Sequence, residues 1–249
     1  MYGERARIGL IVPSSNTVCE PEMATLCPRG VVTYYSTRII FDPTISGLKT
    51  MKDHVERASL ELSSEEICDI IAFCCTVGSM VGGQNYDQEI IRLIEEKAGI
   101  PAITTTTAVK TSLNALGVNR IAMATPYTLE INDLEKGLVE GMGYEVTNII
   151  GYHEHVSPDD FRNEMIGRLY PEAAFNLGLK VTGTRNEAIF VSCTNFRAIE
   201  IIQRLEDKTG KPVISSNQAT MWHALQVLGI KNSINGFGRL FDMGNQPNK

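Results

Sequence analysis

Residues 90–103 read IIRLIEEKAGIPAI, and residues 201–214 read IIQRLEDKTGKPVI. The two stretches align without a gap, and each joins a helical pattern to a glycine, a proline and a short apolar run. Upstream of them, RIGLIVPSS from Arg7 is similar to RIAMATPYT from Arg120. Two long copies are too few for a solenoid, which stacks several short repeats. The repeat therefore predicts two similar lobes of one fold.

Strand and helix signals alternate in both copies. Apolar runs predict strands at Arg7–Val12, Val31–Ile39, Ile67–Cys75, Pro101–Thr104, Arg120–Thr125, Glu145–Gly151, Ala188–Cys193 and Pro212–Ser215. Helical patterns lie between them at Met51–Leu62, Asp87–Lys97, Ala108–Leu116, Leu129–Met142, Pro158–Leu177, Phe196–Lys208 and Ala219–Leu228. This order predicts an α/β fold of two pseudo-symmetric lobes, each a parallel sheet flanked by helices. We assign residues 1–104 plus 217–249 to the first lobe and residues 105–216 to the second.

Composition narrows the class of protein. The 249 residues include 23 basic and 29 acidic side chains, for a net charge of −6, which argues against a nucleic-acid or anionic-membrane binder. The absence of a membrane-spanning run or signal peptide leads us to expect a cytoplasmic protein. With no CxxC, HxxxH, GxGxxG or Walker motif, we expect neither a metal nor a nucleotide cofactor.

Two cysteines are the first candidates for chemistry. Cys75 and Cys193 each end a predicted strand, each precedes a threonine, and the repeat places them at equivalent positions. Ligands of parallel sheets gather at the carboxyl ends of strands, so two facing lobes would bring both thiols to one cleft. The start of the helix predicted after Cys193 would favour its thiolate. The alternative, two buried packing residues, fits either cysteine alone better than it fits the pair.

Other loops at strand ends supply polar candidates. Ser14, Ser15 and Asn16 follow the first strand and are suited to an anion, although an N-cap cluster is the competing interpretation. Tyr127 occupies the mirrored loop and is either a candidate hydrogen-bond donor or a half-buried loop tyrosine. His155, in the stretch HEH after another strand, is a candidate for the pocket rim, with a solvated turn as the alternative. The glycine-rich loop VGSMVGGQNYD, residues 77–87, either closes over the pocket or is a surface insertion.

Several motifs together are similar to a known group. These are PSSNTVCEPE near the N-terminus, CTVGS from Cys75, ATPYT, and the stretch from SCTNFRAIEII to SSNQATMWHAL. They resemble the aspartate/glutamate racemase superfamily, in particular the branch of maleate cis-trans isomerase and arylmalonate decarboxylase. The resemblance spans nearly the whole chain. It implies two pseudo-symmetric α/β lobes, a site between them, and no metal or cofactor.

The resemblance also implies roles for residues. Because the decarboxylase keeps only the second cysteine and this chain has both, the resemblance favours an isomerase or racemase. Cys75 would attack maleate as a thiolate, and Cys193 would exchange the proton at the neighbouring carbon. The two carboxylates would be held by Asn16, Tyr127 and the N–H groups beside Thr76 and Thr194, including that of Val77.

One departure leaves alternatives open. The family asparagine after the sixth strand has no evident counterpart in GYHEHVS, where His155 or His153 is the substitute. Racemisation or decarboxylation of a related acid or hydantoin is therefore the second hypothesis, and a non-catalytic module that binds a small anion is the third. A small anionic substrate and a homodimer are the expected partners.

Overall fold

The computed structural model describes residues 2–157, 160–231 and 234–243, which contain two four-stranded parallel sheets. Strands β1 (Ala6–Pro13), β2 (Val32–Ile39), β3 (Ile70–Phe73) and β4 (Ala102–Thr104) form the first sheet in the order β2-β1-β3-β4. Strands β5 (Arg120–Thr125), β6 (Glu145–Gly151), β7 (Ala188–Val191) and β8 (Val213–Ser215) form the second in the order β6-β5-β7-β8. The identical strand order confirms the predicted pseudo-symmetric α/β architecture.

Helices flank both sheets. In the described residues they are α1 (Cys19–Leu26), α2 (Ile45–Thr50), α3 (Val55–Ser63), α4 (Tyr86–Ala98), α5 (Thr105–Ala115), α6 (Leu129–Gly141), α7 (Pro171–Val181), α8 (Ile202–Thr209), α9 (Ser216–Val227) and α10 (Arg239–Asp242). Helices α5 and α9 follow β4 and β8 directly and pack against each other. Apolar residues from one face of the first sheet share a buried cluster with those of the second sheet, while the other face of the first sheet packs in a separate cluster with α3 and α4. The lobe boundaries after residues 104 and 216 remain our proposal.

The two sheets end in the same way at the carboxyl ends of β3 and β7. Beyond β3, the Cys74 N–H donates to the Ile11 carbonyl at 2.9 Å, and beyond β7 the Ser192 N–H donates to the Ala124 carbonyl at 2.9 Å. Regular strand pairing thus ends one residue before each cysteine of the pair. Since parallel strands end at the same edge, the two Cys-Thr loops leave equivalent points of the two sheets.

The prediction of one helix over Pro158–Leu177 is wrong. Its first residue, Pro158, lies outside the described residues; further on, a short 3₁₀ segment at Asn163–Arg168 precedes α7. Helix α7 begins at Pro171, because proline is suited to the first helical turn but interrupts a helix interior. Within the described ranges, none of the helices has the length and apolar character needed to cross a membrane.

Candidate active site

One cavity of about 280 Å³ lies between the two lobes and contacts both cysteines of the predicted pair. Cys75 is 7% exposed and Cys193 is 9% exposed, so both are largely buried at this cavity. The neighbouring Cys74 points the opposite way and is fully buried in the core, as strand alternation predicts. The lining is completed by Pro13, Ser15, Asn16, Phe41, Pro43, Leu48, Thr76, Val77, Tyr127, Thr128, Ile131, Phe161, Asn163, Ile166, Thr194 and Asn195.

The threonine after each cysteine connects the lobes. The Thr194 hydroxyl donates to the Cys74 carbonyl at 3.1 Å and accepts from the Asn16 amide at 3.0 Å. The Thr76 hydroxyl donates to Ser216 Oγ at 2.9 Å. Because each threonine bonds to an element of the other half, the two Cys-Thr loops are fixed relative to each other.

Cys193 has an unusual backbone. Its φ is 102°, a left-handed conformation that is costly for a residue with a side chain. Its N–H donates to Ser216 Oγ at 3.0 Å, and its thiol accepts from the Asn195 N–H at 3.3 Å. Such strain persists only where surrounding contacts hold it, and it fixes the direction of the thiol.

Burial dominates the acidity of Cys193. It raises the pKa of the thiol to about 12, although the Tyr127 hydroxyl and the Asn195 N–H act in the opposite direction. The prediction that a helix start lowers this pKa is wrong, because the helical backbone begins only at Ile199 and water is excluded from the thiol.

The Cys75 thiol has a similar pKa but a different hydrogen-bond donor. Burial raises the pKa of its thiol to about 12, while the Gly78 N–H bonds to the sulfur and acts in the opposite direction. A Cβ atom at Gly78 would lie only 2.7 Å from Cys75 Sγ, so glycine permits this approach. A charge on Cys193 further raises the pKa of Cys75, which disfavours ionisation of both thiols at once.

Tyr127 is fixed at its backbone. Its N–H donates to Thr125 Oγ1 at 3.3 Å, and its carbonyl lies 2.6 Å from His153 Nδ1. Burial, with the neighbouring Cys193 and Glu135, raises the pKa of the phenol well above its ordinary value. The hydroxyl therefore stays protonated and is a hydrogen-bond donor to the site.

The structure brings most of the predicted binding residues to the cavity. These are Ser15, Asn16, Thr76, Val77, Tyr127 and Thr194. It places two others elsewhere, which corrects their assignment. Ser14 is exposed, and its hydroxyl accepts from the Phe41 N–H at 3.2 Å. His155 is exposed beside Lys180 Nζ at 3.4 Å, because the turn at Tyr152–His155 directs His153 inward instead.

Asn163 is a site residue that the sequence analysis missed. It lies at the start of the 3₁₀ segment after β6 and lines the cavity. The segment packs closely on the site, since a Cβ at Gly167 would lie 2.3 Å from Thr17 Oγ1 and 2.7 Å from Asn195 Oδ1. The available signal was Pro171, which marks a helix start and so removes Asn163 from the helix interior. Asn163 adds a side-chain amide to the polar lining of the cavity.

The cavity wall has a polar and an apolar part. Phe41, Pro43 and Leu48 come from the chain after β2, and Phe161 and Ile166 from the chain after β6. These segments cover the cavity, whereas only the first residue of the predicted closing loop 77–87 lines it.

Neutral groups dominate the polar part. No lysine or arginine lines the cavity in the part of the chain that the structure describes, so amides, hydroxyls and backbone N–H groups are the donors for an anion. The described residues also contain no group of three or more His, Cys, Asp or Glu side chains placed to hold a metal ion.

The fold and the site define a class: a two-lobed α/β protein with paired cysteine thiols at one interlobe cavity. The sequence profile of the arylmalonate decarboxylase family matches residues 8–241. The chain therefore belongs to the arylmalonate decarboxylase family. This confirms the branch that the sequence motifs indicated.

Relatives of both activities cover nearly the whole chain. The maleate isomerase of Geobacillus stearothermophilus is 28% identical over 248 residues, which cover 94% of this chain and 96% of that protein. The arylmalonate decarboxylase of Bordetella bronchiseptica is 26% identical over 250 residues, with 94% and 96% covered. The crystal structure of a Cys-to-Ala variant of the maleate isomerase Iso from Pseudomonas putida S16 with maleate has a TM-score of 0.83, at 27% identity, covering 95% of this chain and 97% of that one.

Proposed function

We propose that this enzyme is a maleate cis-trans isomerase that needs no cofactor and uses its two cysteines. The observation that carries the proposal is the placement of Cys75 and Cys193 at one cavity whose polar wall consists of neutral hydrogen-bond donors. The similarity to maleate isomerases supports the substrate, and the presence of both cysteines supports isomerisation over a single proton transfer.

The reaction needs one thiolate and one thiol. The Cys75 thiolate attacks an alkene carbon, a C–S bond forms, and the π electrons move to the neighbouring carbon, which takes the proton of the Cys193 thiol. The former double bond is then single and rotates. Cys193 retrieves the proton, the double bond forms again as the C–S bond breaks, and fumarate leaves with Cys75 again a thiolate. Mutual repulsion of the two sulfur charges disfavours the doubly ionised state, and because burial raises the pKa of both thiols to about 12, the thiolate is a minor species at neutral pH.

Fixed neutral dipoles bind the substrate dianion in this proposal. The side chains of Asn16, Asn163 and Tyr127 and the loops at Thr76 and Thr194 surround the cavity from both lobes. Preorganised donors of this kind interact strongly with an anion where water is excluded. They also stabilise the carbanion-like charge that spreads onto a carboxylate after sulfur addition.

The test is direct. The purified protein is incubated with maleate, and fumarate is followed by ¹H NMR; Cys75→Ser and Cys193→Ser, each checked for folding by circular dichroism, are the controls. Conversion by the wild type and not by the variants supports the proposal. A folded wild type that leaves maleate unchanged rejects it, and maleate binding without conversion would favour the anion-binding module.

The apolar wall favours a second candidate function. Phe41, Leu48, Phe161 and Ile166 would pack against an aryl or alkyl group that maleate lacks, as in a substituted malonate or hydantoin. Cys193 would then deliver a proton to the carbon that loses carbon dioxide or is racemised. Release of carbon dioxide from phenylmalonate, or deuterium exchange at the α-carbon of a hydantoin in D₂O, would identify this activity.

A further inference from the structure

Behind the cavity lies a carboxyl group that the proposed reaction does not use. Glu135, on α6, is fully buried, and its Oε1 accepts a hydrogen bond from Ser192 Oγ. Among the residues that the structure describes, its Oε2 has no hydrogen-bond partner. Glu135 is not part of the cavity lining, but it interacts electrostatically with Cys75, Cys193 and Tyr127. A buried polar atom without a partner is costly and calls for a physical reason.

The bond to Ser192 bears on Cys193. Ser192 immediately precedes Cys193, whose φ is 102°, and the Ser192 N–H donates to the Ala124 carbonyl at 2.9 Å. Ser192 is therefore the last residue with regular strand pairing before the strained one. With its backbone held by β5 and its side chain held by α6, it anchors the start of the left-handed turn.

The charges around Glu135 do not compensate a carboxylate. No ion pair in the described part of the chain includes it. On α6 itself, Lys136 is paired with Glu140 at the surface. On β6, against which α6 packs, Glu145 is paired with Arg185 at the surface. Lys110 of α5 is exposed. The ionisable groups that act on the same side are two thiols, a phenol and, at the Tyr127 carbonyl, His153.

We propose that Glu135 is a positioning residue that works as a neutral acid: it fixes Ser192, and with it the strained Cys193, without placing a negative charge behind the site. Burial raises the pKa of Glu135 to about 7, although the hydrogen bond from Ser192 acts in the opposite direction, so the side chain is a neutral acid below neutral pH and ionises above it. The benefit of neutrality rests on the proposed function, because a dianion and a thiolate in one cavity leave no place for a third anion. The claim about Cys193 itself does not depend on the substrate.

The first test measures the rate at which Cys193 is alkylated in the absence of the Cys75 thiol. In a Cys75→Ser background, alkylation of Cys193 by iodoacetamide is followed by mass spectrometry of its peptide from pH 5.5 to 9, with and without Glu135→Gln. Glutamine keeps an acceptor for Ser192 and cannot ionise. We expect equal rates at low pH. Above pH 8 we expect rates about three to ten times higher in the variant, since loss of a nearby carboxylate lowers a thiol pKa by about half a unit to one unit.

A second pair of variants tests the anchoring. Ser192→Ala removes the hydrogen bond and keeps the carboxyl group, so we expect Cys193 alkylation to slow by about fivefold at every pH, the effect of one lost buried hydrogen bond. Glu135→Leu should show the same slowing at low pH, whereas above pH 8 the loss of the carboxylate charge offsets it. Isosteric Glu135→Gln should restore the low-pH rate. Should Glu135→Leu fail to fold, Ser192→Ala carries this test alone. Equal rates in Ser192→Ala and its parent would overturn the positioning role.

A third measurement reports whether the Glu135 carboxyl is protonated. With ¹³C-labelled glutamate, the carboxyl signal absent from Glu135→Gln is assigned to Glu135 and should remain that of a neutral acid at pH 6. A charged signal at pH 6, or no alkylation difference between Glu135→Gln and its parent at high pH, would overturn the neutral-acid role. Neither the alkylation nor the NMR measurement requires turnover. If the protein shows these effects but does not convert maleate, only the proposed function is contradicted.

Discussion

Glu22 anchors the chain on the other side of Cys193, and its replacement by glutamine should change how stability depends on pH. The side chain, on α1, is 4% exposed. Its Oε1 accepts from the N–H groups of Ala198 at 2.7 Å and Ile199 at 3.2 Å, and its Oε2 accepts from the Asn217 amide at 2.7 Å. It thus joins the first half of the chain to the segment that follows the second Cys-Thr loop.

The size of the effect follows from the pKa. Burial raises the pKa of Glu22 from 4.5 to about 7, although the N–H groups of Ala198 and Asn217 act in the opposite direction. The folded protein therefore binds this proton more tightly than the unfolded chain does. The free energy of unfolding should fall as pH rises from 4.5 to 7 and level off above, by about 3 kcal/mol in total, most of it between pH 5 and 8.

The measurement compares urea unfolding of the wild type and Glu22→Gln at four values between pH 5 and pH 8. Glutamine does not titrate, so the stability of the wild type relative to the variant should fall by about 2 to 3 kcal/mol from pH 5 to pH 8. Glu135 is present in both proteins, so its contribution cancels. A difference that stays constant within about 0.5 kcal/mol, the usual limit of such comparisons, would refute the reasoning.

The other predictions concern the cavity. Cys193→Ser should abolish conversion of maleate while the circular dichroism spectrum is unchanged; residual turnover above about one per cent would contradict its role as the acid. Asn163→Ala should raise KM for maleate by about tenfold with a smaller change in kcat, since it removes one donor to a carboxylate, roughly 1.5 kcal/mol. Gly78→Ala should lower kcat, because the new Cβ would lie 2.7 Å from Cys75 Sγ; wild-type kcat would exclude that contact. For the wild type, kcat/KM should rise from pH 6 to 7, because burial raises the pKa of both thiols to about 12; a fall with pH would argue against a thiolate.

Local signals were sufficient for most of the scaffold. Strands β5 and β6 have the predicted bounds, because β-branched and apolar runs bounded by glycine or charge determine them locally. The shared cavity of Cys75 and Cys193 was also predictable, since the repeat places both after the same strand of each sheet.

Tertiary packing decided what the sequence did not reveal. The pKa of the Cys193 thiol depends on how completely two lobes exclude water, which no local pattern reports. Asn163 reaches the cavity because Gly167 lets a short turn approach Thr17 closely, a contact between chain segments far apart in sequence. His155 follows a predicted strand as several cavity-lining residues do, but the orientation of a 3₁₀ turn directs it to solvent.

A duplicated fold delivers two equivalent thiols, yet the proposed reaction gives them different tasks, so the difference must come from residues that break the repeat. After the shared Cys-Thr, the first copy continues with Val77 and Gly78, and the second with Asn195 and Phe196. The donor to Cys75 is therefore the N–H three residues on, whereas the left-handed backbone of Cys193 brings the N–H two residues on to its sulfur. Of the two mirrored loops, only the one with Tyr127 places a hydroxyl beside a cysteine, and that cysteine is Cys193. Cys193 thus has two donors where Cys75 has one. The additional donor stabilises the charge that Cys193 carries after it releases its proton, whereas the Cys75 thiolate is less stabilised and more nucleophilic.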